Sequence, residues 1–257
     1  MLKGHNGSIT SLSLHQTRNN ILISGSADKL VKVWDLCSLK EVDSIADLNK
    51  EIQNLKWSLN NESVFACHSG ENDLRLYDLR TSAQSIAQID FKGPEIDTFV
   101  FNTAKENEIL VATVTGDIFC VDSRMTQSKP LYSFKAHNKN IPGMSSTGKY
   151  LVTNSLDSKL RIWDLEFEGG PKLIKEKITP LKQLFTSSIH PENPYLFACG
   201  ASGSEVIVWD FYAEVVEGKE SGEPQVPEVV KGEAGKLGDG VEEEDEEDDD
   251  DGLELEE

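Results

Sequence analysis

Two groups of side chains have the types needed for chemistry. His5, Ser24 and Asp28 recur as His137, Thr153 and Asp157, with the hydroxyl four residues before the carboxylate in both groups. A hydroxyl, an imidazole and a carboxylate are the parts of a nucleophilic triad, provided that a substrate can reach the hydroxyl. In both groups a tryptophan, Trp34 or Trp163, follows the hydroxyl by ten residues. No catalytic residue is assigned to either group. Metal chemistry has even less material. Cys37, Cys67, Cys120 and Cys199 stand far apart, and Cys67-His68 is the only adjacent Cys/His pair, with nothing nearby to complete a four-ligand set. There is no glycine-rich phosphate loop and no paired-carboxylate arrangement, so no cofactor, metal or small-molecule substrate is expected.

The elements that must position these residues are repetitive. Trp34-Asp35, Tyr77-Asp78, Val121-Asp122, Trp163-Asp164 and Trp209-Asp210 follow one another at steps of 43, 44, 42 and 46 residues. That period is the length of a four-stranded propeller blade. Each unit reads as three short strands before the terminal Asp and a fourth after it. In the first unit, 9–14 alternates apolar and polar, 21–24 is a short apolar run, 31–34 alternates again and 41–45 is an outer strand. Later units offer 52–57, 64–66 and 74–77; 96–101, 109–113 and 118–121; 141–144, 150–153 and 160–163; 181–185, 195–198 and 206–209. Phe91, Phe99, Phe101, Phe134 and Phe185 fall in these patterns and read as core. The expected fold is all-β, with about five propeller blades over residues 1–212. Only three residues precede Gly4-His5, too few for a ring-closing strand, so an incomplete or open ring with about two further blades upstream is expected.

Charge divides the chain differently. The formal net charge is −20; residues 214–257 hold 20 acidic residues and 3 lysines, a net −17, which leaves −3 for the rest. Residues 213–257 are expected to form a disordered tail, because their Gly, Glu and Pro content cannot bury enough apolar surface to offset ordering entropy. Within it, Glu242, Glu243, Glu244, Asp245, Glu246, Glu247, Asp248, Asp249, Asp250 and Asp251 are ten consecutive carboxylates. They suit basic ribosomal proteins or histones, and their sign excludes direct RNA binding by the tail. The scattered cysteines suit a reducing compartment, and neither a secretory leader nor a membrane span is expected.

The Gly4-His5 to Trp34-Asp35 unit, with Ser24-Gly25-Ser26-Ala27-Asp28 between, resembles a WD repeat. The order of regular and degenerate units is more particular: Tyr77-Asp78-Leu79-Arg80, then Val121-Asp122-Ser123-Arg124, then Lys135-Ala136-His137-Asn138 before a regular unit ending at Trp163-Asp164. That succession resembles the periodic tryptophan protein 1 family over about residues 4–210. The resemblance implies that His5, Ser24, Asp28 and Trp34, like His137, Thr153, Asp157 and Trp163, form buried hydrogen-bond chains from indole to carboxylate. It also implies a non-catalytic scaffold in the nucleus and nucleolus (a cytoplasmic location being the alternative) that assists large ribosomal subunit assembly, with a link to chromatin. The second, third and fifth units lack the full set and are expected to rely on apolar packing and strand pairing.

Partner contacts have two further candidates. Arg80 and Arg124 sit where a Trp-Asp-x-Arg box would dock a cullin-ligase adaptor, although Tyr77 and Val121 depart from that box; the other reading is an arginine bonded to its own turn. Lys135 and Lys139, with Lys172, Lys175, Lys177 and Lys182, could reach pre-ribosomal RNA phosphates. The alternatives to the ribosomal reading are a substrate receptor of a cullin-type ubiquitin ligase and a histone-binding module.

Overall fold

The computed structural model describes residues 2–212 and 228–231, apart from 71, 82–84, 92, 125–129, 181–182, 191–192, 194 and 204. These residues build a five-blade β-propeller of four-stranded antiparallel sheets. Blade one comprises β1 (Ile9–Leu14), β2 (Ile21–Ser26), β3 (Val31–Asp35) and β4 (Lys40–Ile45). Blade two comprises β5 (Ile52–Trp57), β6 (Val64–Ser69), β7 (Asp73–Asp78) and β8 (Ser85–Asp90). Blade three comprises β9 (Ile96–Phe101), β10 (Glu108–Thr113), β11 (Asp117–Asp122) and β12 (Tyr132–Lys135). Blade four comprises β13 (Gly143–Thr147), β14 (Tyr150–Asn154), β15 (Lys159–Asp164) and β16 (Lys172–Ile178). Blade five comprises β17 (Leu184–Ile189), β18 (Leu196–Ala201), β19 (Glu205–Asp210) and β20 (Glu228–Lys231). Strands run in sequence order within each sheet, so every connection is local.

The core lies between blades. Period-two alternation gives each strand two faces, and each face meets a different neighbour. Ile23, Val31 and Val33 of blade one meet Leu55, Trp57, Phe65, Cys67 and Tyr77 of blade two. Ala66, Leu74 and Leu76 on the other face of blade two meet Phe99, Phe101, Ile109 and Val111. Leu110, Ile118 and Cys120 then meet Met144, Leu151 and Trp163, and Val152, Leu160 and Ile162 meet Phe197, Cys199, Ile207 and Trp209. Polar groups of the inner strands stitch the same interfaces. The Ser11 and Ser13 hydroxyls accept from the Leu55 and Trp57 amides, and the Trp57 indole donates to the Ser13 carbonyl at 3.1 Å. Gly25 is required here, because a Cβ on it would lie 2.5 Å from Ile52 and 2.6 Å from Leu55.

The two terminal faces differ from the internal ones. By register, Leu12 and Leu14 of β1 hold the positions that Leu55 and Trp57 hold in β5. Yet they are 59% and 57% exposed where their counterparts are buried. Val206, the counterpart of buried Leu160, is 44% exposed on the far face of blade five.

Several strands depart from expectation. β13 starts at Gly143 instead of residue 141, because Pro142 has no N–H to give a ladder. β17 begins at Leu184 and runs to Ile189, later than the expected 181–185, and Phe185 is exposed instead of core. Residues 228–231, within the span expected as tail, pair antiparallel with β19 as β20, the outer strand of blade five. The acidic run 242–251 lies outside the described residues.

Candidate functional site

Blades one and four carry the two polar quartets, and the structure brings all four members of each together. In blade four, β15 carries Trp163 as its penultimate residue and β14 places Thr153 beside it. The loop into β13 carries His137, and the β14–β15 turn carries Asp157. The Trp163 indole N–H donates to Thr153 Oγ1 at 3.1 Å. Thr153 Oγ1 lies 2.8 Å from His137 Nε2, and His137 Nδ1 lies 3.1 Å from Asp157. One proton arrangement satisfies every group: indole to hydroxyl, hydroxyl to Nε2, and Nδ1–H to carboxylate. Asp157 Oδ1 also accepts the Lys159 amide at 3.1 Å, which ties the β14–β15 turn down.

Blade one repeats the arrangement. Trp34 donates to Ser24 Oγ at 2.8 Å, Ser24 Oγ lies 2.7 Å from His5 Nε2, and His5 Nδ1 lies 2.9 Å from Asp28. Asp28 takes the Asn6 and Leu30 amides at 2.8 and 3.1 Å. The hydroxyls are enclosed, with Ser24 and Thr153 both buried. A triad would leave the hydroxyl oxygen open to attack; here its lone pairs face an indole N–H.

The electrostatics favour fixed protonation. Burial pushes the His137 imidazole down, and the Asp157 carboxylate opposes this only in part, so the ring stays neutral at physiological pH. Burial works to raise Asp157, but hydrogen bonds from His137 and from the Asn138 and Lys159 amides outweigh it and bring the group to about 2. Asp28 reaches about 2 in the same way, through the Asn6 amide and His5. A folded-state pKa held below the unfolded value means stability that is present above the unfolded pKa and lost as pH falls toward the folded one. Stability should therefore drop between about pH 4 and pH 2, measured by urea denaturation at stepped pH. A flat profile across that window in wild type would contradict the paired carboxylates.

The degenerate blades are not left to apolar packing alone. In blade two, Tyr77 stands where tryptophan would and donates its hydroxyl to Asp47 at 2.6 Å. Arg75 Nε pairs with Asp73 at 2.8 Å and its guanidinium donates to the Asp47 carbonyl at 2.9 Å. In blade three, Thr113 and Thr115 lie 2.9 Å apart, Thr115 donates to Asp117 at 2.7 Å, and Lys135 reaches Asp117 at 3.2 Å. Only the repeat positions of Tyr77, in β7, and Thr115, in the β10–β11 turn, pointed toward these networks; Asp47 and Asp73 carried no signal, since they lie outside the quartet spacing. Blade five has Cys199 at the hydroxyl position, and its Trp209 ring lies 4.7 Å below the Lys177 ammonium.

The other expected sites are placed as follows. Arg80 folds back onto Asp78 at 2.7 Å and Arg124 onto Asp122 at 2.6 Å, each on its own turn, with both guanidinium groups largely exposed. Lys135 is committed to the Thr115 carbonyl at 2.7 Å, and Lys139 is exposed. Lys172 lies over the Phe167 ring at 4.2 Å, and Lys182 lies outside the described residues. Cys67, Cys120 and Cys199 are buried and Cys37 is exposed; burial pushes Cys120 and Cys199 up to about 12. Among the described residues no group of three His, Cys, Asp or Glu side chains converges on a metal position. No helix of the described residues is long and apolar enough to cross a membrane.

The WD domain, G-beta repeat family model matches residues 1–35 and 128–164, the two stretches that carry the full quartets. Periodic tryptophan protein 1 of Saccharomyces cerevisiae is 29% identical over 225 residues, which cover 81% of this chain and 39% of that protein. The periodic tryptophan protein 1 homolog of Drosophila melanogaster is 26% identical over 77% of this chain and 44% of its own length. A protein of Drosophila mojavensis named ribosome biogenesis protein WDR12 homolog is 30% identical over 63% of this chain and 38% of its own. The chain thus spans about two fifths of the length of these relatives. With five repeat-length blades, two buried quartets and this extent of likeness, the chain is a WD40-repeat protein homologous to periodic tryptophan protein 1 over about 80% of its length.

Proposed function

We propose that this chain is a non-catalytic interaction scaffold that works in the nucleolus on assembly of the large ribosomal subunit. A WD-repeat scaffold with relatives named as ribosome biogenesis factors is the coarse reading on which this rests. The observation that carries the finer one is the 225-residue alignment with periodic tryptophan protein 1. It runs well past the two segments that the generic repeat model matches, so it takes in degenerate blades as well as regular ones. The buried quartets support the non-catalytic part, because their hydroxyls are spent on internal bonds. The partners are proteins: assembly factors, and basic ribosomal proteins or histones drawn to the carboxylates of 242–251, with pre-ribosomal RNA reached through the complex. Exposed Arg80, Arg124 and Lys139 are contact candidates on the blades, whereas Lys135 is already engaged.

Affinity purification from cells, with and without nuclease, followed by mass spectrometry tests this. Large-subunit proteins and pre-ribosomal RNA are expected, with the proteins partly retained after nuclease. Recovery of a cullin adaptor or of core histones in their place would overturn the ribosomal reading.

A further inference from the structure

The innermost strands of all five blades converge on an axial cavity of about 370 Å³. Its wall is neutral and polar for the most part, including Ser11, Asn54, Thr98 and Ser187, with Leu12, Trp57 and Met144 as apolar patches. Among the described residues one charged side chain lines it, Lys56 of β5. Other enclosed cations of this protein have a carboxylate: Lys32 meets Glu41 at 2.6 Å, Arg75 meets Asp73, and Arg161 meets Glu176. Lys56 has no hydrogen bond or ion pair among the described residues. A partly buried ammonium without a counter-charge is unfavourable, and a bound anion would relieve that cost. Ser187 adds a second vacancy in the same wall, since its Oγ is buried and has no partner.

We propose that the axial cavity is a carboxylate-binding site, in which Lys56 supplies the counter-charge and the Ser187 hydroxyl donates a hydrogen bond. One ammonium neutralises one carboxylate, and the second carboxylate of a dicarboxylate can stay in solvent; a phosphate dianion carries both charges on one centre, where the described wall residues supply no second cation. The volume suits a single acidic side chain or a small dicarboxylate and not a folded partner. Burial without compensation pushes the Lys56 ammonium down to about 8. The site is independent of the ribosomal reading: it would stand if that reading failed, and it would give an acidic peptide a point of entry on the propeller axis.

The test is an amide NMR titration of the full chain with succinate, with a hexaglutamate peptide and with inorganic phosphate. Saturable shifts at Ser11, Asn54, Lys56 and Ser187 are expected with succinate or the peptide, at least tenfold weaker with phosphate. Lys56→Met should weaken the carboxylate response at least tenfold, and Lys56→Arg should retain it. The peptide alone giving shifts would assign the site to acidic segments; succinate alone would assign it to free dicarboxylates. No saturable shift in wild type with either carboxylate, or a response to phosphate alone, would overturn the proposal whatever the variants do. A Lys56→Met protein that binds as well as wild type would also overturn it.

Discussion

Phe65→Ala is expected to destabilise the fold by about 3–5 kcal/mol. Phe65 is 0% exposed and sits at the centre of the interface between blades one and two. Its ring stacks on Tyr77 with centroids 5.1 Å apart and meets Trp57 edge-on at 5.6 Å. Truncation removes both aromatic contacts, each contributing about 0.5–1.5 kcal/mol beyond area burial, and opens a cavity that rigid β-strands cannot close. Tyr77 would also lose the ring that holds its hydroxyl on Asp47. Leu14→Ala is the matched control. Leu14 occupies the blade-one position of Trp57 but is 57% exposed, so its loss should stay within about 0.5 kcal/mol. Urea denaturation of the three proteins measures both. Equal losses at the two positions would mean that interblade faces do not form the core.

Asp157→Ala is expected to cost on the order of 2 kcal/mol, through the buried partners it strands. His137 is 0% exposed, and its Nδ1–H would point at an empty position. The Lys159 amide would lose its acceptor too, so the β14–β15 turn would loosen along with the ring. The same substitution should abolish this carboxylate's share of the acid-sensitive stability between about pH 4 and pH 2. Thermal and urea unfolding at pH 7 and pH 3 separate the two effects. A variant as stable as wild type at pH 7 would remove the quartet from the account of blade four. Asp28→Ala should follow the same direction, because Asp28 holds the His5 ring and the Asn6 amide in the same way.

β5 at Ile52–Trp57 and β9 at Ile96–Phe101 match their expected spans, since Ile52, Leu55 and Trp57, like Ile96, Phe99 and Phe101, are apolar residues that each strand buries. β17 was misplaced for the opposite reason. Thr186 and Ser187 line the axial cavity, so the strand needs no apolar run there, and the apolar residues just before it drew the reading away. Ile141 misled in the same manner: it is buried under blade four from a loop, ahead of Pro142. β20 carried little signal, because an outer strand makes its ladder through backbone groups and Glu228-Val229-Val230-Lys231 is too short to show a period.

The quartets were legible because their spacing repeats, and the substitutes in blades two and three were not. Asp47 lies outside the strand pattern, on the connection between β4 and β5, and Tyr77 meets it with its phenol hydroxyl. Lys56 escaped notice because a lysine in a strand normally reads as solvent-facing. The convergence of the five inner strands places that position on the cavity wall.

The central claim is that the polar quartets are internal struts with fixed protons and not reactive groups. The most direct measurement is the imidazole nitrogen spectrum of His137 in ¹⁵N-labelled protein between pH 5 and pH 8. The account predicts a neutral ring at pH 7 and above, with the proton on Nδ1 and Nε2 unprotonated, and any titration step displaced below that of a solvent-exposed histidine. A ring that gains a proton in that range with the pKa of a solvent-exposed histidine, or one protonated on Nε2, would contradict it.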